Sequence, residues 1–275
     1  MQAGSLSAHF RNAIVLVAAA AALSGCLMGE EKAKEEGDIL ARNQITGSVG
    51  DGPIIGASMR VLRNDGEVIA NADSKGIANF GVTVQPAAMY YPLTIDARGG
   101  TDLVTNQAPD FVMIGSVPEQ SDVSTANINP FSTFAVEVAR DMPGGITAEN
   151  LLDAESIVVS VLNHGLTSLA TSSPSWTPID ASNITEVVRA SESLSETIRR
   201  TRDLQLQFGR PSSGDTVVRA LASDLTDGVV DGRGGVRVDP RISAIATVVS
   251  AQVLLESMQN ELHVNGLDAT EAMNN

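Results

Sequence analysis

Asn127-Ile128-Asn129-Pro130-Phe131-Ser132-Thr133-Phe134-Ala135 is where the chain changes its period, and the fold class is read from its two sides. Proline disfavours helix for the residue before it and suits the first turn of a helix after it, so an extended segment should end at Asn129 and a helix begin at Pro130. Upstream, apolar residues alternate with polar ones; downstream, they recur at helical spacing. The expectation is an α+β chain in two domains, an antiparallel β-sandwich over residues 44–129 and an α-helical bundle over 130–275.

On the upstream side, Ile45 to Val49 leads into the turn Gly50-Asp51-Gly52-Pro53, and Ala57, Met59 and Val61 then alternate with Ser58, Arg60 and Leu62. Asn64-Asp65-Gly66 is a hairpin signal, because these residues tolerate positive φ. Glu67 to Asn71 supplies a strand, Asp73-Ser74-Lys75-Gly76 turns the chain, and Ala78, Phe80 and Val82 resume the alternation. Tyr91 to Ala97 gives another strand, closed by Gly99-Gly100. Short strands broken by regular turns read as a sandwich. The segments Gly47-Ser48-Val49, Pro53-Ile54-Ile55-Gly56-Ala57-Ser58-Met59, Asp73-Ser74-Lys75-Gly76 with Phe80, and Tyr91-Pro92-Leu93 together resemble a carboxypeptidase regulatory-like (transthyretin-like) domain. Three positions depart from that pattern: Met59 stands for Val, Ala72 for Thr, and the aromatic falls at Phe80 rather than at Ala78. The resemblance implies a non-catalytic accessory module of extracytoplasmic proteins. The junction itself is similar to the Asn-Pro-x-Thr-Thr-x-Ala segment that often follows such a sandwich in bacterial surface proteins.

On the downstream side, Thr147 can cap a helix from Ala148 to Leu162 that Gly165 ends. After a loop rich in Ser, Thr and Pro, Asp180 or Asn183 can start a long helix that ends near Gly209-Arg210-Pro211. A shorter helix covers Asp215 to Leu225, closed by Gly228, and Asp239-Pro240 opens a last long one whose apolar face runs from Ile242 to Leu262. Four amphipathic helices predict an antiparallel bundle.

At the other end of the chain, Arg11 precedes a continuous aliphatic run from Ala13 to Leu23, and Ser24-Gly25 precede Cys26. This is the charged, apolar, small-residue order of a secretory signal over residues 1–25, too short for a stable span. Leu23-Ser24-Gly25-Cys26 resembles the bacterial lipobox at all four positions. That resemblance implies diacylglyceration of Cys26, removal of the preceding peptide and a membrane anchor, and Leu27 rather than Asp implies the outer membrane. Residues 26–43, with Glu30-Glu31-Lys32-Ala33-Lys34-Glu35-Glu36 at their centre, lack the apolar content to pack and read as an acidic tether.

The chain has 18 basic and 33 acidic residues; losing Arg11 with the signal leaves 17 − 33 = −16. That balance repels nucleic-acid phosphates. Cys26 is the one cysteine, so no disulfide can staple the body. No Gly-x-Ser-x-Gly elbow, phosphate loop or His/Cys ligand set occurs in the sequence. His164 and His263 read as cations near helix ends. Candidate calcium ligands are Asp224, Asp227, Asp231 and Asp239, carboxylates set among glycines though not at EF-hand spacing, and turn or cap roles compete for them. Trp176, in Pro174-Ser175-Trp176-Thr177-Pro178, is the candidate ligand contact. The expectation is a non-enzymatic lipid-anchored envelope protein that binds or scaffolds an envelope protein or glycan. The alternative is a calcium-dependent or glycan-binding surface protein, and an enzyme assembled from dispersed Asp, Glu, Ser and Thr is the third class.

Overall fold

Strand β1 (Asn43–Ser48) organises the N-terminal half, because it is paired on both sides. The computed structural model describes residues 42–166 and 173–273; the signal segment, Cys26 and nearly all of the tether lie outside the described residues. After β1 come β2 (Ile54–Ile55), β3 (Ser58–Leu62), β4 (Val68–Asp73), β5 (Asn79–Val84), β6 (Leu93–Arg98), β7 (Thr101–Asp102), β8 (Met113–Val117) and β9 (Val123–Thr125). They form two larger open sheets, β5-β1-β9 and β4-β3-β6-β8, with β2 and β7 as a separate pair. The alternation anticipated in β3 holds, with Met59 and Val61 buried and Ser58 and Arg60 exposed. Gly66, with φ 86°, makes the turn from β3 to β4.

One pairing departs from the antiparallel expectation. β9 runs parallel to β1, and the ladder continues past it: Ala126 N donates to Thr46 O at 2.8 Å, Ile128 N to Ser48 O at 2.9 Å and Gly50 N to Ile128 O at 2.8 Å. The chain reaches this edge by crossing from the other sheet after β8, so it arrives in the same direction as β1. Residues read as a junction are thus an edge strand of the first sheet.

Helix α1 (Pro130–Asp141) starts directly from that strand, and Asn129 and Ser132 close a reciprocal capping box. Ser132 Oγ donates to Ile114 O at 2.8 Å, and Thr133 Oγ1 accepts from Ile114 N at 2.9 Å. The first turn of α1 therefore satisfies the free edge of β8, which would otherwise offer a strand-pairing template. Every residue from Pro130 to Ala139 is buried. Around α1 lie α2 (Ala148–Val161), α3 (Ile184–Gln207), α4 (Gly214–Asp224) and α5 (Pro240–Met258). Thr147 caps α2 and Asp239 caps α5, as anticipated; α4 is capped by Ser213. α5 is, among the described residues, the one helix long and apolar enough to cross a membrane by length and composition, and 33% of that stretch is buried in the fold.

The last helix ends at Met258, earlier than its apolar pattern implies. Leu262 instead enters a hairpin of β10 (His263–Val264) and β11 (Leu267–Asp268), turned by Asn265 and Gly266 at φ 50° and 78°, and followed by α6 (Ala269–Met273). Asn265-Gly266 is a strong hairpin pair, and it overrides the helical period. One hydrophobic cluster runs from Ile45 through Ile95, Ile128, Phe131 and Leu194 to Ile242, so strands and helices bury their apolar faces against each other across residue 130.

Candidate functional site

Five carboxylates and one guanidinium meet where the turn after β1, the segment around β7 and the middle of α3 come together. Gly50 takes φ 134°, and its N–H is held on Ile128 O, so the chain leaves β1 sharply and presents Asp51 inward. Asp102 pairs with Ile54 in the β2–β7 ladder, and its carboxylate receives Val104 N at 2.8 Å, Thr105 N at 3.3 Å and Thr105 Oγ1 at 2.6 Å. On α3, Glu192, Glu196 and Arg199 fall at i, i+4 and i+7 and share one face.

Arg199 is 3% exposed and is the hub. It pairs with Asp51, with Asp110 Oδ2 at 2.9 Å, with Glu196 Oε2 at 3.5 Å and with Glu192 Oε2 at 3.7 Å. Glu196 also receives Arg200 Nε at 2.7 Å, and Asp110 receives Arg202. Asp51, Asp102 and Glu192 each bring a carboxylate oxygen within 4.8 Å of the others, and all three are buried. Neither oxygen of Glu192 accepts a hydrogen bond, and Oδ1 of Asp51 is likewise unmatched.

Burial opposes the charge on Arg199, yet the facing carboxylates of Asp51, Glu192, Glu196 and Asp110 outweigh it and raise its pKa above the usual guanidinium value. Burial, then the charge of Asp51, pushes Glu192 well above the ordinary carboxyl range. Burial and Asp51 raise Asp102 as well, while its hydrogen bonds from Thr105 and Val104 pull the other way.

A cavity of about 400 Å³ adjoins this cluster, between the turn after β1, the extended junction strand and the N-terminal half of α3. Asp51, Gly52, Asn127, Asn129 and Ser191 supply polar groups to its wall, and Val187 and Ile179 supply apolar ones. The Asn127 amide fixes the rim: Nδ2 donates to Pro174 O at 3.1 Å and Thr177 O at 2.7 Å, while Oδ1 accepts from Ser48 N at 3.2 Å.

The residues singled out from sequence lie elsewhere. Among the described residues, Asp224, Asp227, Asp231 and Asp239 do not converge on a common point. Asp224 is fully buried and accepts from Gly232 N and Arg233 N; Asp227 accepts from Val229 N, Asp231 from Arg233 N and Asp239 from Arg241 N. Each carboxylate ties down a turn or caps a helix. Trp176 is half-buried, donates Nε1 to Ser116 O at 2.9 Å, and borders a separate hollow with Leu152 and Ser124. His164 is buried rather than solvated, and burial pushes its pKa down to about 4, so it is neutral rather than a cation at the end of α2. His263 is exposed in β10, not in a helix.

The cluster was missed because its members look ordinary in sequence. Gly50-Asp51-Gly52-Pro53 reads as a turn, and Glu192, Glu196, Arg199 and Arg200 fall inside a long helix with nothing in their spacing to tell counter-charge from water. The available signal was Ser191, Ser193, Ser195, Thr197 and Thr201: small hydroxyl residues let a helix be approached closely, and all five are buried. Scanned against protein-family models and compared with curated proteins, the chain matches none.

Proposed function

We propose that this chain is a non-enzymatic lipoprotein of the cell envelope, anchored through Cys26 in the outer membrane and acting as a binding or scaffolding module. The observation that carries the reading is Leu23-Ser24-Gly25-Cys26 closing an aliphatic run, with an acidic stretch after it and a folded body downstream. In this reading residues 26–43 are the tether, residues 44–129 a transthyretin-like sandwich and residues 130–275 a helical part packed against it. Two acyl groups or more hold a protein stably at a bilayer, whereas one does so marginally. The cavity beside α3 is the place for a small polar ligand or a partner's side chain, since it combines apolar walls with converging amide, hydroxyl and carboxylate groups.

Cys26→Ser should abolish incorporation of labelled palmitate and move the body from the membrane to the soluble fraction. Retained labelling or retained membrane association in that variant refutes the anchor. The second reading is a calcium-dependent or glycan-binding surface protein, and its glycan half draws on the edge of Trp176 at the neighbouring hollow.

A further inference from the structure

We propose that Asp51, Asp102 and Glu192 form a buried binding site for a hard divalent cation, calcium foremost, entered through the cavity beside α3.

The first ground is charge. Arg199 pairs with Asp51, Asp110, Glu192 and Glu196, while Arg200 is shared between Glu196 and Glu256 and Arg202 between Asp110 and Asp203, so acidic groups outnumber the guanidinium groups that meet them. Asp51 and Glu192, 1% and 0% exposed, therefore crowd two carboxyl groups into the interior beside a guanidinium that other carboxylates also engage. A buried carboxyl group without a full partner holds a proton instead, and a divalent ion that displaces the proton can pair with several such groups at once.

The second ground is independent of the count. Both oxygens of Glu192 and Oδ1 of Asp51 lack any hydrogen-bond donor, although the rest of the cluster is well bonded. Ser191, 1% exposed, also has an unmatched hydroxyl, and it stands in the wall of the cavity with Asp51. Buried oxygens left without a donor, two of them on residues that reach the cavity wall, mark a space made for an oxygen-seeking guest.

Geometry fits as well. Ligand oxygens within 4.8 Å of one another lie at about the span of two oxygens on one calcium ion, twice a calcium–oxygen distance of roughly 2.3–2.6 Å. The donors are all oxygen, with no His or Cys, which disfavours zinc and copper. Gly52 keeps the space clear: a Cβ there would lie 2.4 Å from Glu192 Oε1 and 3.1 Å from Asp102 Oδ1. Water arriving through the cavity completes the coordination shell.

The test uses the full-length chain in detergent, stripped with chelator and titrated with calcium chloride by calorimetry and by thermal melting. One equivalent of heat and a melting temperature that climbs with calcium concentration are expected. Glu192→Gln and Asp102→Asn should each weaken binding by about tenfold or more, while Asp227→Asn combined with Asp231→Asn leaves it unchanged. No heat and no melting shift with millimolar calcium or magnesium overturns the proposal. So does binding that survives both site substitutions, or that disappears with the loop pair. If the site variants do not fold, europium luminescence lifetimes on the unmodified chain decide. An ion held by three carboxylates loses at least three of its waters, and an ion bound on the exposed acidic surface keeps most of its hydration shell. The second result overturns the proposal.

Discussion

Asn127 shows how much one side chain can hold. It is 1% exposed and joins Ser48 of β1 to Pro174 and Thr177 of the loop before α3. Alanine there would take this partner from Thr177 O and Ser48 N, while Pro174 O keeps Asn129 Nδ2, so Asn127→Ala should lower stability by ~2–4 kcal/mol, measured by denaturant unfolding. Asp is the informative control, since it keeps the acceptor for Ser48 and loses both donations. His164 makes a different prediction. Its folded pKa of about 4 lies below the ordinary histidine value of 6.5, so between those limits the unfolded chain binds a proton that the folded chain refuses. This group's contribution is complete above pH 6.5 and is lost as pH falls toward 4, a change of about 3 kcal/mol over 6.5 − 4 = 2.5 units. His164→Asn should flatten that part of the stability–pH curve, read from melting temperatures at pH 7 and pH 4.5.

β1 is the element least tolerant of change. A Cβ at Gly47 would lie 2.0 Å from Ala126 O and 3.1 Å from Phe80 Cε1, and the first of these is backbone held by the β1 ladder. Gly47→Ala should therefore push β9 and the strand after it away from β1, at a loss of ~1–3 kcal/mol or more, with faster amide exchange at Ala126 and Ile128 as the local readout. Much of this element-level organisation was legible in the residues. Thr147, Asp239-Pro240 and Asn129-Pro130 each begin a helix where capping chemistry says they should, and β3 alternates as its pattern requires. What escaped the sequence has a common physical cause: the decisive partners are far away. The parallel partner of β1 is set by a crossover, not by a local turn. The burial of α3 depends on carboxylates from segments before and after β6, and a polar helix face looks the same whether it meets water or counter-charges. The β10–β11 hairpin is the exception, since Asn265-Gly266 announced it and a longer helical period obscured it.

The molecule as a whole is predicted to melt as one body over its described part. One hydrophobic cluster joins both halves, and Arg199 ties α3 to the turn after β1 and to Asp110. Far-ultraviolet circular dichroism, dominated by the helices, and fluorescence of Trp176, which is hydrogen-bonded to β8 through Ser116, should therefore report the same midpoint. Two separated transitions would show that the strand-rich and helical parts unfold independently despite the shared core.

The Arg199–Asp51 pair spans 148 positions of sequence, and this has a kinetic meaning. A chain made from its N-terminus delivers Asp51 long before the guanidinium that pairs with it. Until α3 emerges, closing the turn after β1 over that carboxylate would bury a bare charge, so the early segment is held back from premature collapse. Commitment to the native state comes late, and contacts of such long reach slow folding in general. A segment that waits in this way stays open until α3 can close over it.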